Sequence, residues 1–418
     1  MSITAEKTES WVESELQKLM TDRSQVPDPH PLYAHLREHS PIRVHAGVTL
    51  VTAHKYVNAL FRDPRFSRHE AAKREVRMLG DGGPEDQVDR DAGMAEIMML
   101  INQDNPAHNR IRRIIDKVFR PNAVARWQDQ VDAITSTLID KVADRDEFDV
   151  LHDLGFPLPE AVICAMMGVP VEDHSLWSGW IQTSIGANTR TATPSAEARA
   201  AVRDAHRSFL LYFRELVARR RTSLSDDLVS ELVRAEEDGE RLSELELLGT
   251  LQMLISAGHE TTANLLGNGM LSLIRNPEQY QRLRKDPDLV ANAVEELLRY
   301  ETPSPWALPR VATEDIELPD GVILPKGSFT ILAIASANRD SSVFPDGDKL
   351  DVTRENNRHL GFAAGPHFCL GSMLARMEAK AMFRAIVTRL PELELAEEPT
   401  WKHSFTRAMT GLKVRAVR

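Results

Sequence analysis

Apolar residues return at helical spacing through most of this chain, and the longest such run sets its scale. From Ser243 to Asn276 apolar positions recur every three or four residues. Ser243 and Glu246 are spaced as a capping box, and Asn276-Pro277 marks the stop. About 33 residues at ~1.5 Å each predict a helix of roughly 50 Å, long enough to cross a whole domain. A second run follows Cys369, where Leu370, Met373, Leu374, Met377 and Ala381 share one helical face until Pro391. Earlier in the chain the pattern predicts a helix over Pro31–Glu38, a hairpin over Ile42–Val51 and a helix over His54–Phe61, ended by Asp63-Pro64. Arg65–Gln103 is charged and broken by Asp81-Gly82-Gly83-Pro84, which predicts a long loop with a short helix inside. Its apolar end, Met98 to Ile101, is placed to face a pocket.

Asn105–Phe119 reads as a helix with Pro106 in its first turn. Residues 123–220 read as mostly helical, with Leu158–Met167 apolar enough to be buried and Cys164 inside it as a core residue. The polar break Ala187–Ala196 separates two helical segments, and Arg219–Arg221 reads as a solvated helix end. After Glu301–Arg310 the chain enters strands, with Asp320-Gly321 as a hairpin turn.

The long helix works against itself at its centre. Gly258 costs about 1 kcal/mol against alanine in a helix interior. Thr261 can turn its hydroxyl back to the carbonyl of Ala257 and bend the helix. Weakness at the middle of the best helix predicts a functional widening there.

Composition narrows the class. The 418 residues show no repeat, no low-complexity linker and no abrupt shift, so a single domain over 29–418 is expected after a polar extension, 1–28. Two cysteines far apart argue for a reducing compartment. The N-terminus lacks an apolar signal core and no run approaches a membrane span, so a soluble, cytoplasmic protein is expected. A net charge of −11 argues against a general nucleic-acid binder.

Candidate chemistry centres on Cys369. At a helix start a cysteine is expected as a thiolate, which serves either as a nucleophile or as a soft metal ligand. A buried structural cysteine is the plain alternative. Phe362, Gly365, Cys369 and Gly371 fit the pattern F-x-x-G-x-x-x-C-x-G, with His367 two residues before the cysteine. Here the chain resembles the cytochrome P450 family. The resemblance implies that Cys369 ligates the iron of haem b, that Phe362 shields the sulfur and that His367 reaches a propionate. The glycines would let backbone pass close to the flat macrocycle. Ala363 departs from the pattern at a place that is usually glycine, which predicts a stiffer loop.

Further motifs follow in the family's order. Ala257, Gly258, Glu260 and Thr261 match A-G-x-[DE]-T, whose groove holds O2 while the acid–alcohol pair, Glu260 and Thr261, delivers protons. His108 and Arg112 share a helix face and match propionate-binding positions, as does Arg310; Arg110, Arg113 and Lys117 read as a solvated basic face. Glu296 and Arg299 supply E-x-x-R, completed by Arg354, a scaffold rather than a catalyst. Met98, Met253, Ser256, Trp306, Leu308 and Met409 fall where a substrate pocket is lined, although core packing suits Trp306, Leu308, Ala408 and Met409 nearly as well.

The fold expected is mainly α (α+β), with haem between the long central helix and the helix after Cys369. The implied activity is a monooxygenase acting on an apolar small molecule, drawing electrons from NAD(P)H through a reductase and a ferredoxin. The ferredoxin would dock on a basic patch of Arg110, Arg113, Lys117, Arg376 and Lys380. A monomer is expected, with no nucleic acid and no membrane. The alternatives are a peroxide-driven peroxygenase, a non-catalytic haem sensor and a hydrolase using Cys369 and His367.

Overall fold

The computed structural model describes residues 8–78, 86–173, 195–235 and 239–417, together with positions 176, 179, 180 and 183. The central helix runs over Glu244–Arg275, 32 residues, and both halves of the capping box form: Ser243 Oγ accepts from the Glu246 amide, and the Glu246 carboxylate accepts from the Ser243 amide. It packs against helices Gln87–Met98, Pro157–Met167, Ala196–Thr222, Val290–Tyr300 and Ser372–Arg389, the last being the helix after Cys369. The main apolar core forms around it.

Strands are few and short: β1 (Ile42–His45), β2 (Val48–Val51), β3 (Phe66–Ser67), β4 (Glu147–Asp149), β5 (Arg310–Ala312), β6 (Ile316–Glu317), β7 (Ile323–Leu324), β8 (Phe329–Leu332), β9 (Glu392–Leu395) and β10 (Lys413–Val417). One sheet has the order β1-β2-β8-β5-β3, with β2 and β8 parallel and the other pairs antiparallel. A second has the order β4-β10-β9, and β6 pairs with β7 around Asp320, whose φ of 66° the tight turn requires. The first sheet presents Arg310 at the start of β5, beside the cysteine loop's own apolar cluster of Phe61, Leu360 and Ala364.

Several expectations are corrected. Arg65–Gln103 contains two helices, Arg68–Met78 and Gln87–Met98, where one short helix was expected. Their buried faces rest on alanines, Ala71, Ala72, Ala92 and Ala95, too weakly apolar to show a period. The 1–28 segment is no mere polar extension. Helix Glu9–Thr21 buries Val12, Leu16 and Leu19 against Tyr33, Leu50 and Trp306, one narrow stripe hidden among charges. One stretch, Val150–Met167, is long and apolar enough to cross a bilayer, contrary to expectation, yet 61% of it is buried in the core. The helix after Cys369 starts at Ser372 and its buried face is rotated: Leu374, Glu378, Met382, Phe383 and Ile386 are buried, whereas Met373 is exposed. Arg220, within the expected solvated end, is mostly buried and pairs with Asp227 at 2.5 Å. Of the polar break Ala187–Ala196, positions 187–194 lie outside the described residues.

Candidate active site

The cysteine loop is folded on itself before it meets any helix. The Cys369 amide donates to the Phe362 carbonyl at 3.0 Å, and the Phe368 amide to the Gly365 carbonyl at 3.1 Å. Gly365 sits at φ 71°, and a Cβ there would lie 2.4 Å from the Phe61 carbonyl oxygen. Its necessity is therefore the close approach of helix His54–Arg62, not the clearance of a macrocycle. Gly371 fits the clearance reading better, since a Cβ there would meet no atom within 4 Å. Ala363 adopts φ 58°, so the departure from glycine leaves an alanine in the left-handed region. Phe362 is buried under the Arg376 guanidinium, 4.4 Å from its ring centroid.

Burial pushes the Cys369 thiol up from its ordinary value, against the Gly371 amide and the charges of Arg112 and Arg376. Desolvation thus outweighs the local dipole in the free protein, and a metal ion bound at this sulfur would take the place of its proton.

Beside the cysteine lies a cluster of cations. Arg112 donates to the Phe368 carbonyl at 2.8 Å and to Asp116 at 2.7 Å. His108 and His367 lie with ring centroids 4.3 Å apart. Burial, then the charge of Arg310, pushes His367 down to about 2. Burial also lowers His108, helped by Arg112 and Arg310. Both imidazoles are neutral, and His108 Nε2 is buried without a hydrogen-bond partner. Arg310 is 7% exposed, and no carboxylate among the described residues pairs with it. Burial, then Arg68, lowers it to about 10, so it stays charged at neutral pH. Arg68, buried and bonded to Glu75 and the Pro309 carbonyl, is a member that no spacing in the sequence marks. Arg110 stands apart, paired with Glu246 of the central helix.

The central helix is buried from Leu247 to Ile255, save half-buried Gln252, and again from Thr262 to Leu273, but between them Ser256, Ala257, Gly258, Glu260 and Thr261 are exposed or half-buried beside a buried His259. This is a window in the middle of a core helix. Thr261 Oγ1 donates to the Ala257 carbonyl at 2.7 Å, as its position predicts, though the helix continues unbroken. A Cβ at Gly258 would meet no atom within 4 Å. Next to Thr261, Thr262 is buried and hydrogen-bonds Glu378 on the helix after Cys369, which fixes the two helices against one another. The Glu260 carboxylate is held by Thr406 Oγ1 at 2.7 Å.

The remaining positions divide. Met98 and Leu308 are half-buried, Met98 at the end of its helix, and Met253 lies on the buried side of the window. Ser256 spends its hydroxyl on the Gln252 carbonyl at 2.8 Å. Trp306 does not line this site: it is 1% exposed in the N-terminal cluster, donating to Tyr33 Oη at 2.8 Å. Met409 packs its methyl where a Cβ on Gly267 would be, 3.4 Å away, well along the helix from the window. Glu296 and Arg299 are fully buried and bonded through two 2.7 Å contacts. Arg354, Asn357 and the Asp351 amide complete the Glu296 shell, and carbonyls of Asn338, Gly347 and Lys349 complete that of Arg299. Together they make a buried hydrogen-bonded cluster.

These residues fit haem b. A buried arginine with no ion pair among the described residues, only the more distant charge of Asp104, and a buried imidazole nitrogen without a partner are what the two propionate carboxylates would satisfy. Gly258 and Gly371 leave room for a flat group, and Cys369 would be the soft ligand. Cys164 lies fully buried in the apolar core and lacks the neighbouring arginine charges that Cys369 has in Arg112 and Arg376.

A family model described as cytochrome P450 matches residues 69–410. Nocardicin C N-oxygenase of Nocardia uniformis subsp. tsuyamanensis is 38% identical over 381 residues, 89% of this chain and 90% of that protein. Vitamin D(3) 25-hydroxylase of Pseudonocardia autotrophica is 35% identical over 377 residues, 88% of each chain. The crystal structure of P450BioI in complex with acyl carrier protein ligated to hexadec-9Z-enoic acid superposes with a TM-score of 0.84 at 32% identity, covering 94% of this chain and 99% of that one. Motifs, fold and relatives agree, and the chain belongs to the cytochrome P450 family of haem-thiolate proteins, which take their electrons from external redox partners.

Proposed function

We propose that this chain is an O2- and electron-dependent monooxygenase that hydroxylates, or otherwise oxidises, an apolar small molecule, with Cys369 as the axial thiolate. The observation that carries the reading is the window at Ser256–Thr261: an accessible acid–alcohol pair in the middle of an otherwise buried helix. The overall balance is RH + O2 + 2e⁻ + 2H⁺ → ROH + H2O. Bound haem supplies the iron at which O2 is activated. The chain does the rest. Arg310, Arg112, His108 and His367 hold the propionates, the first by charge and the imidazoles as neutral partners. Phe362 excludes water from the sulfur side. Gly258 leaves room on the distal side, and Ala257 borders it. Thr261 exchanges its bond to the Ala257 carbonyl for one to the incoming proton acceptor, and Glu260 replaces the proton that Thr261 gives up.

Relatives named for vitamin D(3) and nocardicin C, and a solved neighbour holding testosterone, support an organic ligand of modest size. Met98, Met253 and Leu308 would give it an apolar contact surface. Electrons come from NAD(P)H through a reductase and a ferredoxin. Of the basic patch, Arg110 is paired with Glu246 and Arg376 is clamped by Glu295 at 2.7 and 2.8 Å, so docking falls first to Arg113, which is exposed.

A hydrolase would need His367 against the cysteine sulfur, whereas its ring lies tilted against that of His108. A peroxygenase or a sensor has no use for the acid–alcohol pair. The test is spectroscopic first. The reduced protein with carbon monoxide should show the red-shifted Soret band of thiolate haem, and Cys369→Ser should abolish it. Thr261→Ala should bind ligand and accept electrons yet release peroxide in place of product; unchanged coupling of NAD(P)H to product would defeat the relay.

A further inference from the structure

We infer that Thr406, on the loop before β10, is a positioning residue that aims the Glu260 carboxylate, an inference that rests on the proposed role of Glu260 in proton delivery. Three hydrogen bonds define the device. Asn264 Nδ2 donates to Thr406 Oγ1 at 3.2 Å, Thr406 Oγ1 donates to Glu260 Oε1 at 2.7 Å, and Ser404 Oγ adds a longer contact to the same oxygen at 3.4 Å. A threonine hydroxyl has one hydrogen. Its oxygen accepts from the Asn264 amide and also lies 3.0 Å from Ser404 Oγ, so the hydrogen goes to the nearer and stronger acceptor, the Glu260 carboxylate at 2.7 Å, and Ser404 is left to donate. Reversing the Asn264 amide would leave two acceptors 2.7 Å apart with no proton between them whenever the Glu260 carboxyl is ionised.

The geometry is unlike a chance surface contact. Asn264 is 1% exposed and Thr406 is 8% exposed, so neither group has bulk water as an alternative partner. Asn264 lies one helical turn beyond Glu260, and the carboxylate is therefore fastened from its own helix through the loop. The Thr406 amide donates to Ser404 Oγ at 3.2 Å, which sets the loop's local turn. Arg23 holds the Ser404 and Phe405 carbonyls at 2.7 and 2.8 Å, and Arg407 holds Glu301 at 2.9 Å. The loop that presents Thr406 is thus pinned on both sides. Among the described residues Oε1 takes every hydrogen bond that the carboxylate has, and Oε2 is left for the proton traffic of the window.

The experiment compares holoenzymes of wild type, Thr406→Val, Thr406→Ser and Glu260→Gln. The carboxylate stretching band of Glu260 is read by infrared spectroscopy on protein carrying ¹³C-labelled glutamate and assigned by its loss in Glu260→Gln. Peroxide released per NAD(P)H is read in ligand-free turnover with an acidic ferredoxin and its reductase. Thr406→Val, nearly the same shape without the hydroxyl, should shift the Glu260 band and raise the peroxide fraction, and Thr406→Ser should restore both. A band unmoved in Thr406→Val overturns the inference whatever the peroxide does. A peroxide fraction unchanged in Glu260→Gln defeats the relay reading of Glu260 itself, while the band still decides whether Thr406 positions it. Should Thr406→Val fail to load haem, Asn264→Ala removes the same orientation from the other end and should shift the band in the same way; an unmoved band there overturns the inference equally.

Discussion

Ala363 and Gly365 show how differently two neighbouring residues meet a left-handed backbone. An L-residue in that region costs about 1–2 kcal/mol, while glycine gives back about 0.5–1 kcal/mol through the entropy of its unfolded chain. Ala363→Gly is therefore expected to leave stability unchanged or raise it by up to about 1 kcal/mol, seen as an equal or higher melting temperature of the holoprotein. Gly365→Ala combines φ 71° with a contact 2.4 Å from the Phe61 carbonyl and should lower both melting temperature and haem content. Parity between the two variants would show that the loop relaxes where the geometry says it cannot. The glycine pattern was legible in the sequence, but its cause at Gly365 was not, because Phe61 is three hundred positions away in chain order and adjacent only in the fold. Trp306 and Met409 were misplaced for the same reason: a bulky apolar residue reads alike whether it faces a ligand or the core.

At the scale of elements, the legible parts were those with strong period and capping. The central helix came within a residue at each end, because its capping box and Asn-Pro stop are local signals. The alanine-faced helices Arg68–Met78 and Gln87–Met98 carry no such signal, and the face of the helix after Cys369 was misread because it buries a glutamate. That glutamate has a measurable consequence. Burial raises the Glu378 carboxyl to about 8, against the Thr262 hydroxyl that favours its charged form. The native state then keeps a proton that the unfolded chain has released above about 4.3. Between that value and about 8, stability must fall as pH rises, by at most ~1.4 kcal/mol per pH unit for this one group. Glu378→Gln removes that slope. Its unfolding free energy should match the wild type near pH 5 and exceed it near pH 8; parallel curves across that range would mean that the carboxyl titrates normally.

Across the whole molecule, two seams join distant parts of the chain. One runs between helices Gln87–Met98 and Ala196–Thr222, where Arg207 meets Asp86 and Asp89 and Arg214 meets Asp91 at 2.9 Å. Arg207 draws Asp86 below its usual range, and these are partly exposed charges that salt screens. Arg207→Ala should slightly lower the melting temperature of the holoprotein at low ionic strength, with the difference from wild type fading as salt is raised. A difference that persists at high salt would point to packing rather than charge. The other seam is the N-terminal segment, where Arg23 grips the loop that carries Thr406. For anyone shortening the chain to ease crystallisation or to attach a fusion partner, the motif inventory is a poor guide. A chain cut back to Val26 keeps each sequence motif of a working oxygenase, yet it gives up the guanidinium that holds the acid's support in place. Its expected failure is twofold: the lost helix uncovers Leu50 and Trp306 and lowers stability, and whatever protein still takes on colour squanders its electrons.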